Sequence, residues 1–427
     1  MAYNNDENSS RNRYRNPESK LQYHWDKVQH LLNGEPEKIA PVTIHFAPTL
    51  ECNHNCYFCT YGEAKKKHCG AVKMSLENAK DYLKKLNDAG VRGIIFTGGG
   101  DPCTHEDLIH MMEECNLLGM HFALNTNGGL LSSELSESIL KLNPVYVRVS
   151  INAGSPKFQR LMAGKDDFDE ILTNFKALLM NKVRLNNDVN VSAACVVGEI
   201  NYLDLKNLAD AILKIEKEVE KETGINPQID IHIRPIYNHK TSKIYDKYDE
   251  EFINRVKSIL QERENGLQAV ESFERFIEEN EQTPQAILDK ALKIIEDEIK
   301  PELKNGNSKI NIFYPNERMK TVGVRNKKAY DCCLGLYFYG TVWSDGKLYP
   351  CVEYAGIEEY AVGDLNNNTA REILSSEERK KAIARMNERL HECPPVCAYN
   401  EMNIYLDNLI KGAEKFSAEK TRGISFI

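Results

Sequence analysis

Cysteine is the most informative residue type in this sequence. The chain has twelve cysteines, and three of them, Cys52, Cys56 and Cys59, lie within one short segment. A second group lies in the last quarter of the chain and comprises Cys332, Cys333, Cys351, Cys393 and Cys397. Because a reducing cytosol keeps thiols free, so many cysteines without an export signal favour metal or redox chemistry over structural disulfides. The two groups predict two metal centres.

The first cysteine group directly follows a predicted strand, Thr43–Ala47. It therefore lies on a loop at the carboxyl end of a strand, where α/β folds place their chemistry. Thiolates are the ligands of iron–sulfur cubanes, and three of them can hold a four-iron cluster while one iron stays open to substrate or cofactor. The alternative is a zinc site, which needs a fourth ligand such as His54 or Cys69.

The second cysteine group surrounds a predicted β-hairpin. Cys333 precedes it, Cys351 follows it, and Ser344-Asp345-Gly346 supplies the turn. Cys393 and Cys397 add a closely spaced pair of thiols. Four thiolates suit zinc as well as iron–sulfur chemistry, and given the first group we favour a second 4Fe-4S cluster over zinc. Full ligation leaves no open iron, which predicts an electron relay or a structural role.

The elements that must position these cysteines follow an alternating pattern from Val42 to Tyr237. Short β-rich runs alternate with helical periods, which is the signature of βα units and a parallel sheet. The predicted strands are Thr43–Ala47, Gly93–Thr97, His121–Leu124, Val145–Ile151, Val189–Val197 and Gln228–Ile236. Six units are too few for a closed eight-stranded barrel. We therefore predict an α/β fold, a partial (βα)6 TIM-like barrel, followed by a C-terminal α+β cysteine-rich domain.

Polar residues in alternating phase on such strands are expected to face the lumen. The residues in that phase are Arg148, Ser150 and, just beyond, Asn152 on the fourth strand, and Asp230, His232 and Arg234 on the sixth. The candidate catalytic residues among them are Arg148, Asp230, His232 and Arg234. Arg234 with His232 suits a substrate carboxylate or phosphate, and an internal ion pair with Asp230 is the alternative.

Composition narrows the location and the partners. The chain has 427 residues, 41% of them apolar, and a formal charge of -8. An acidic chain lacks the positive field that attracts nucleic acid or anionic membranes, so neither is a predicted partner. The sequence shows no secretory signal and no stretch apolar enough to span a bilayer. These observations predict a cytoplasmic protein.

The first cysteine motif resembles the signature of the radical S-adenosylmethionine (radical SAM) superfamily, including the aromatic Phe58 before the last cysteine. Three later segments also resemble that superfamily: Gly98–Pro102, with Asp101 in place of the usual Glu; the Asn-Gly turn of Asn125–Gly128; and Val147–Ser150 followed by Arg160. They follow predicted strands two, three and four, so all lie at one edge of the sheet.

The resemblance implies that Cys52, Cys56 and Cys59 bind a 4Fe-4S cluster whose open iron chelates S-adenosylmethionine. It implies the following cofactor-binding residues: Phe58, Gly99, Gly100, Asp101, Asn125, Ser150 and Arg160. The C-terminal hairpin resembles the SPASM and twitch auxiliary domains, whose spacing favours Cys333 over Cys332 as ligand. Because no cysteine follows Cys397, a twitch-like arrangement is expected, with a single 4Fe-4S cluster held by Cys333, Cys351, Cys393 and Cys397.

The expected domain organisation has four parts. They are a polar lead-in with one helix (1–40), the radical SAM partial barrel (41–240), a charged helical insertion or bridge (241–329) and a twitch/SPASM-like auxiliary cluster domain (330–427). Of the solitary cysteines, Cys103 lies beside the glycine-rich loop and is a candidate redox residue or hydrogen donor. Cys195 and Cys115 are expected to be packing residues.

The resemblance implies one-electron cleavage of S-adenosylmethionine and hydrogen abstraction by a 5′-deoxyadenosyl radical. An electron donor of the flavodoxin or ferredoxin type is the expected partner. Three hypotheses follow: an enzyme acting on a small molecule such as a sugar or nucleotide derivative, a radical maturase of a peptide, and a non-catalytic metal-binding protein. The region before Val42 is too short and polar for a leader-binding domain, which favours the small molecule.

Overall fold

Parallel strands form the centre of the molecule. The computed structural model describes residues 17–62, 70, 72–236, 250–261, 266–279, 284–315, 319–320, 328–393 and 397–412. In these residues the sheet has ten strands, in the order β10-β9-β8-β1-β2-β3-β4-β5-β6-β7. The strands are β1 Thr43–Phe46, β2 Gly93–Phe96, β3 His121–Thr126, β4 Tyr146–Ser150, β5 Asn190–Val197, β6 Ile229–Pro235, β7 Ile310–Phe313, β8 Tyr339–Val342, β9 Lys347–Tyr349 and β10 Gly363–Asp364.

Helices connect these strands and cover the outer face of the sheet. They are α1 Pro17–Gln22, α2 Trp25–Leu32, α3 Leu76–Asp88, α4 Leu108–Leu117, α5 Ser133–Lys141, α6 Pro156–Ala163, α7 Phe168–Arg184, α8 Leu205–Thr223, α9 Glu250–Gln261, α10 Gly266–Glu279, α11 Pro284–Ile294, α12 Lys300–Asn305, α13 Ala370–Ser375, α14 Glu377–Glu388 and α15 Asn400–Ile410. A π-helical turn, Ile295–Ile299, joins α11 to α12.

The crossover helices begin and end where the sequence predicts. Ser75 caps α3 by accepting a hydrogen bond from the backbone N–H of Asn78, and Gly90 follows the helix with a φ of +99°. The apolar face of α3, including Leu83 and Leu86, is buried in the main core under the sheet. Alternate strand residues such as Phe46 pack into the same core, so the opposite phase of each strand faces the lumen.

The predicted fold class is confirmed, and beyond β6 the sheet continues with a strand that was not predicted. Strand β7 pairs in parallel with β6, with Ile229 opposite Ile310 and Asp230 opposite Asn311. It lies within residues 241–329, which the sequence analysis assigned to a charged helical insertion. Strand β7 has only four residues, so its alternation of apolar and polar residues is too short to indicate a strand. Pairing with β6 determines its extended conformation.

The cysteine-rich region shares the same sheet. Strand β8 pairs in parallel with β1, and the β8–β9 hairpin turns at Gly346, whose φ is +86°. A second core beneath this region includes the buried residues Leu21 and Val28 of the N-terminal segment. That segment forms two short helices, α1 and α2, where one was predicted. No helix in the described ranges is long and apolar enough to cross a bilayer.

Arg379 ties the C-terminal region to the start of the barrel. Its side chain is buried and donates hydrogen bonds to the carbonyl oxygens of Ile39 at 3.2 Å, Leu374 at 2.8 Å and Tyr337 at 3.4 Å. Burial lowers the pKa of Arg379 to about 10, so the guanidinium stays charged at neutral pH. One side chain therefore satisfies carbonyls from three separate segments.

We expect Arg379→Met to lower the free energy of unfolding by about 2–4 kcal/mol, because three carbonyls lose their donor. The neighbouring Lys380 is half-exposed, so Lys380→Met should change the unfolding free energy by less than about 0.5 kcal/mol. Anaerobic urea denaturation of both variants measures the difference. Equal destabilisation by the two substitutions would contradict the bridging role of Arg379.

Candidate functional site

The three clustered cysteines lie on the loop that follows β1. The side chains of Cys52, Cys56 and Cys59 are each partly exposed. The loop leaves the carboxyl edge of the parallel sheet, where β2, β3 and β4 also end. Three accessible thiols on one loop match the donor set of an iron–sulfur cluster with one open iron.

The end of α6 holds the backbone of this loop. The N–H of Asn55 donates to the carbonyl oxygen of Ala163 at 2.8 Å, and the N–H of Tyr57 donates to that of Met162 at 3.3 Å. The last carbonyls of a helix lack intrahelical partners, so they are free to accept from an irregular loop. The helix terminus thus substitutes for the secondary structure that the cysteine loop lacks.

A buried hydrogen bond between a histidine and an aspartate fixes the middle of the cysteine loop. His54 Nε2 lies 2.7 Å from Asp167 Oδ2, and the two side chains are 3% and 2% exposed. Gln159 Nε2 donates to Asp167 Oδ1 at 2.8 Å. Burial alone raises the pKa of Asp167, but the hydrogen bonds from His54 and Gln159 outweigh it, and the pKa lies below its usual value. The Nε2 atom of His54, the histidine considered as a zinc ligand, is thus hydrogen-bonded to Asp167. The other candidate zinc ligand, Cys69, lies outside the described residues.

The loop after β3 contacts the cysteine loop from the other side. Asn127 Nδ2 donates to Asn53 Oδ1 at 2.7 Å and lies 3.7 Å from Cys52 Sγ. An amide N–H close to a thiolate stabilises its negative charge. The predicted Asn-Gly segment is therefore adjacent to the first cysteine.

The glycine-rich loop after β2 packs directly on the start of the cysteine loop. The N–H of Gly100 donates to the carbonyl oxygen of Thr49 at 2.9 Å. A Cβ atom at Gly100 would clash with the backbone of Glu51, and one at Gly99 would clash with Leu50 and Trp343. Both positions therefore require glycine because the two loops approach so closely.

Asp101 fastens the glycine-rich loop to the loop after β3. Its buried carboxylate accepts hydrogen bonds from Thr126 Oγ1 at 2.9 Å and from the backbone N–H groups of Asn127 and Cys103. Burial outweighs these hydrogen bonds and raises the pKa of Asp101. The carboxylate predicted to help bind the cofactor is thus engaged with neighbouring protein groups.

The C-terminal cysteines converge on a single cavity. Aromatic residues and four thiols line it, the thiols being those of Cys333, Cys351, Cys393 and Cys397. Asn403 Nδ2 donates to Cys333 Sγ at 3.2 Å, and Tyr354 Oη lies 3.7 Å from Cys393 Sγ. Cys332, in contrast, is exposed. Nowhere in the described residues do three His, Cys, Asp or Glu side chains form a group suited to a metal ion.

Two family models match the chain. The model of the radical SAM superfamily matches residues 46–212, and that of the SPASM iron–sulfur cluster-binding domain matches residues 332–399. The first match contains the cysteine loop and strands β2–β5, and the second contains the four-thiol cavity. The chain therefore contains a radical SAM domain followed by a SPASM domain. Its radical SAM domain binds a 4Fe-4S cluster and S-adenosylmethionine, and its SPASM domain binds auxiliary iron–sulfur clusters.

Curated relatives match about half of this chain. An S-adenosylmethionine-dependent nucleotide dehydratase from Lacinutrix mariniflava is 28% identical over 228 residues, which is 51% of this chain and 44% of that protein. A probable GTP 3′,8-cyclase from Saccharolobus islandicus is 26% identical over 230 residues, 48% of this chain and 71% of the relative.

Solved structures share the fold across nearly the whole chain. Streptococcus suis SuiB superimposes with a TM-score of 0.56 at 13% identity, covering 93% of this chain and 79% of SuiB. SuiB bound to its precursor peptide SuiA gives a TM-score of 0.54 at 15% identity, covering 97% and 81%. The predicted partial barrel with a C-terminal cysteine-rich domain is therefore an established architecture.

The remaining predicted cofactor-binding residues occupy different places in the radical SAM domain. Phe58 packs edge-on against Tyr57, with ring centroids 5.4 Å apart. Ser150 lies at the carboxyl end of β4 and is partly buried. The Arg160 side chain is 40% exposed on α6, where it donates to Asp166 at 2.8 Å. Arg160 thus pairs on the outer surface of a helix, whereas Ser150 lies at the sheet edge.

The predicted lumen residues Arg148 and Asp230 lie on the inner face of the sheet. The Arg148 guanidinium lies over the ring of Tyr146, 4.7 Å from its centroid. Asp230 is fully buried and accepts from Asn190 Nδ2 at 2.9 Å and Asn311 Nδ2 at 3.1 Å. The amides that bind Asp230 come from β5 and β7, and sequence reasoning missed both.

His232 and Arg234 lie nearer the carboxyl end of β6. His232 stacks on Phe313 with ring centroids 5.4 Å apart, and Arg234 is exposed. Burial lowers the pKa of His45, on β1, to about 4, and the positive charge of Arg234 across the lumen contributes to this shift. Strands β1 and β6 therefore face a common interior.

Sequence reasoning missed three further lumen residues: His45, Ser192 and Thr341. Each has a buried polar atom without a hydrogen-bond partner in the described residues, namely His45 Nδ1, Ser192 Oγ and Thr341 Oγ1. A signal was present for Ser192, because the phase that places Cys195 among packing residues directs Ser192 to the opposite face.

Among the solitary cysteines in the described residues, Cys115 and Cys195 are buried and Cys103 is partly buried. Cys115 and Cys195 belong to the main core, and burial raises the pKa of Cys195 to about 12. Cys103 packs partly buried against the same core, and burial raises the pKa of its thiol well above the usual value, with the charge of Asp101 adding. Cys103 is therefore a protonated thiol at neutral pH. Its redox or hydrogen-donor role stays a prediction.

We expect Asp167→Ala to lower the free energy of unfolding by about 1–3 kcal/mol, because His54 and Gln159 lose a buried acceptor. Amide hydrogen exchange should accelerate in the peptide that contains Cys52–Cys59. Asp166→Ala is the matched control, because the Asp166 side chain is 59% exposed and its ion pair lies on the surface. Identical exchange in the two variants would contradict the anchoring role of Asp167.

The buried imidazole of His45 should make stability fall with acid. The unfolded chain gains a proton below the ordinary pKa of 6.5, whereas folded His45 gains one only near 4. Between about pH 7 and about pH 5.5, His45 should lower the free energy of unfolding of the wild type by about 1 kcal/mol. The His45→Gln variant should not show this loss. Anaerobic thermal unfolding across this range measures it. The exposed His110→Gln should keep the wild-type slope; a wild-type slope in His45→Gln would refute the assignment.

Proposed function

We propose that this chain is a radical SAM enzyme whose substrate is a small molecule bound in the lumen of the partial barrel. The observation that carries the proposal is a set of buried lumen atoms without a hydrogen-bond partner in the described residues: His45 Nδ1, Asn125 Oδ1, Arg148 Nε, Ser192 Oγ and Thr341 Oγ1. Buried polar atoms are costly when unpaired, so a polar ligand that pairs with them is favoured.

In this proposal Cys52, Cys56 and Cys59 hold the first 4Fe-4S cluster. With the cluster and S-adenosylmethionine bound and one electron supplied, the chemistry available is cleavage to methionine and a 5′-deoxyadenosyl radical. A flavodoxin- or ferredoxin-type protein is the proposed electron donor. The chain itself holds the cysteine loop through His54 and Asp167, orients the substrate in the lumen and excludes water.

The four thiols of the C-terminal cavity are the proposed ligands of one auxiliary 4Fe-4S cluster. All four line the same cavity, whereas Cys332 is exposed. The Asn403 amide that donates to Cys333 Sγ would stabilise a ligating thiolate. Four thiolates complete the coordination of a cluster, which supports an electron-relay or structural role.

The names of the sequence relatives support a small-molecule substrate of the nucleotide or sugar type. One is a nucleotide dehydratase and another is a probable GTP 3′,8-cyclase. A peptide substrate is the alternative. The likeness to SuiB concerns the fold, at 13% identity. The first experiment should therefore include both classes.

The test is anaerobic incubation of the reconstituted, reduced enzyme with S-adenosylmethionine, followed by quantification of 5′-deoxyadenosine. We expect product above the level of Cys52→Ala, and a further rise with a phosphorylated or carboxylated small molecule. A rise with peptides alone would replace the small molecule by the maturase hypothesis. If no product forms above the Cys52→Ala level, the result would favour the non-catalytic hypothesis.

Iron analysis tests the cluster assignment. The wild type should bind about eight iron atoms per chain, and Cys333→Ser or Cys351→Ala about four, because each removes one ligand of the auxiliary cluster. Cys332→Ser is the matched control and should retain about eight. About four iron atoms in the wild type, or a loss in Cys332→Ser equal to that in Cys333→Ser, would contradict the assignment.

A further inference from the structure

One level of the barrel lumen is built entirely from polar side chains. The register places Asn125 opposite Arg148, Arg148 opposite Ser192, Ser192 opposite Asp230, and Asp230 opposite Asn311. We call these five residues the mid-lumen row. They occupy neighbouring positions on five consecutive parallel strands, β3 to β7, so their side chains form one continuous band across the interior.

The two halves of the mid-lumen row differ in how their hydrogen bonds are satisfied. On the β6–β7 side, Asp230 accepts an amide N–H on each carboxylate oxygen, from Asn190 and Asn311. On the β3–β5 side, three atoms on adjacent strands have no partner in the described residues: Asn125 Oδ1, Arg148 Nε and Ser192 Oγ. The unsatisfied atoms are therefore contiguous.

Arg148 is the member of the mid-lumen row that most strongly indicates an anionic ligand. Its contact within the described part of the chain is with the ring of Tyr146, and no ion pair of Arg148 occurs there. The ring supports one face of the guanidinium and leaves its N–H edge available. Burying the Nε–H group of Arg148 without an acceptor is unfavourable, and the planar fork of N–H donors matches a carboxylate or a phosphate.

The depth of Arg148 separates it from the place expected for the cofactor. Ser150, at the end of β4, is the residue that the family resemblance associates with the methionine carboxylate. Arg148 precedes it by two residues and faces the same way, so it lies about 6–7 Å deeper along the strand. An anion on Arg148 would therefore lie beneath the carboxyl edge that carries the cysteine loop.

The charges around the row also favour an anion. His45 is neutral at neutral pH, because burial, with the charge of Arg234 adding, lowers its pKa to about 4. Arg234 contributes a second positive charge near the carboxyl end of β6. The one carboxylate in the row, Asp230, already accepts two amide hydrogen bonds.

We propose that Asn125, Arg148 and Ser192 form the seat for an anionic group of the substrate, a carboxylate or a phosphate that lies beside a hydroxyl or N–H donor. The Arg148 fork and the Ser192 hydroxyl bind the anionic oxygens, and Asn125 Oδ1 accepts from the neighbouring donor. This inference rests on the proposed function and specifies the substrate class. It assigns Arg148 to substrate binding and not to holding the fold together.

The experiment measures binding calorimetrically on the anaerobically reconstituted holoenzyme with S-adenosylmethionine present. The phosphate arm uses the four ribonucleoside triphosphates and inorganic phosphate, the carboxylate arm uses malate and acetate, and ribose is the uncharged probe. We expect one anionic arm to bind and ribose not to. Arg148→Met should weaken that binding by about 10–100-fold, with partial recovery in Arg148→Lys, and Ser192→Ala by about 3–10-fold. The exposed Arg184→Met should match the wild type.

Two controls separate this seat from other roles of Arg148. In the absence of an anion, Arg148→Met should unfold at the same temperature as the wild type or higher, because it removes a buried Nε–H group that has no acceptor in the described residues. Its affinity for S-adenosylmethionine should stay within about threefold of the wild type. A lower unfolding temperature would indicate a structural role, and a parallel loss of S-adenosylmethionine affinity would indicate a cofactor role. Either overturns the proposal.

Failure of the seat and failure of the proposed function give different results. If no anion binds the wild type but 5′-deoxyadenosine still forms, the anion seat is wrong and the radical SAM activity stands. If no 5′-deoxyadenosine forms above the Cys52→Ala level, the proposed function fails. Anion binding that Arg148→Met leaves unchanged overturns the seat in either case.

Discussion

An irregular loop that carries three thiols must find hydrogen-bond partners outside itself, and much of the radical SAM domain meets that constraint. The loop has no helix or strand that could satisfy its backbone. The end of α6 accepts two of its N–H groups, Asp167 binds His54, and Asn127 binds Asn53. The glycine-rich loop packs against its first residues. The geometry of the thiols is therefore set by residues distant in sequence.

The same edge of the sheet brings these partners together. Parallel strands joined by helices all end on one side, so the loops after β1, β2 and β3 are neighbours regardless of their distance along the chain. Asp101 shows how tightly they are joined, since its buried carboxylate binds Thr126 at the end of β3 and Asn127 in the loop that follows. Below this edge, the inner face of the strands is free to carry polar groups, because the helices cover only the outer face.

Sequence reasoning predicted the elements whose signal is local. The strands β1 to β6, the cap at Ser75, the hairpin at Gly346 and both cysteine groups follow from short patterns of residues. Strand β7 was missed because four residues carry too little alternation and depend on pairing with β6. The bond between His54 and Asp167 was missed because nothing near either residue indicates the other. The convergence of the auxiliary cysteines on one cavity depends on tertiary contacts, which local sequence patterns do not indicate. Their role as ligands stays a prediction until iron is measured.

The pairing of β8 with β1 has a consequence for how the molecule is made. Thr43 is hydrogen-bonded in register with the segment at Tyr339, so the edge of the first strand stays open while a ribosome synthesises everything between them. An exposed parallel edge is prone to pairing with other chains and closes slowly, since distant segments must meet. One edge of β1 therefore finds its native partner only after the β8–β9 hairpin has been synthesised. Closing that edge also brings the two cysteine groups into one folded body, because the first group follows β1 and the β8–β9 hairpin lies between Cys333 and Cys351.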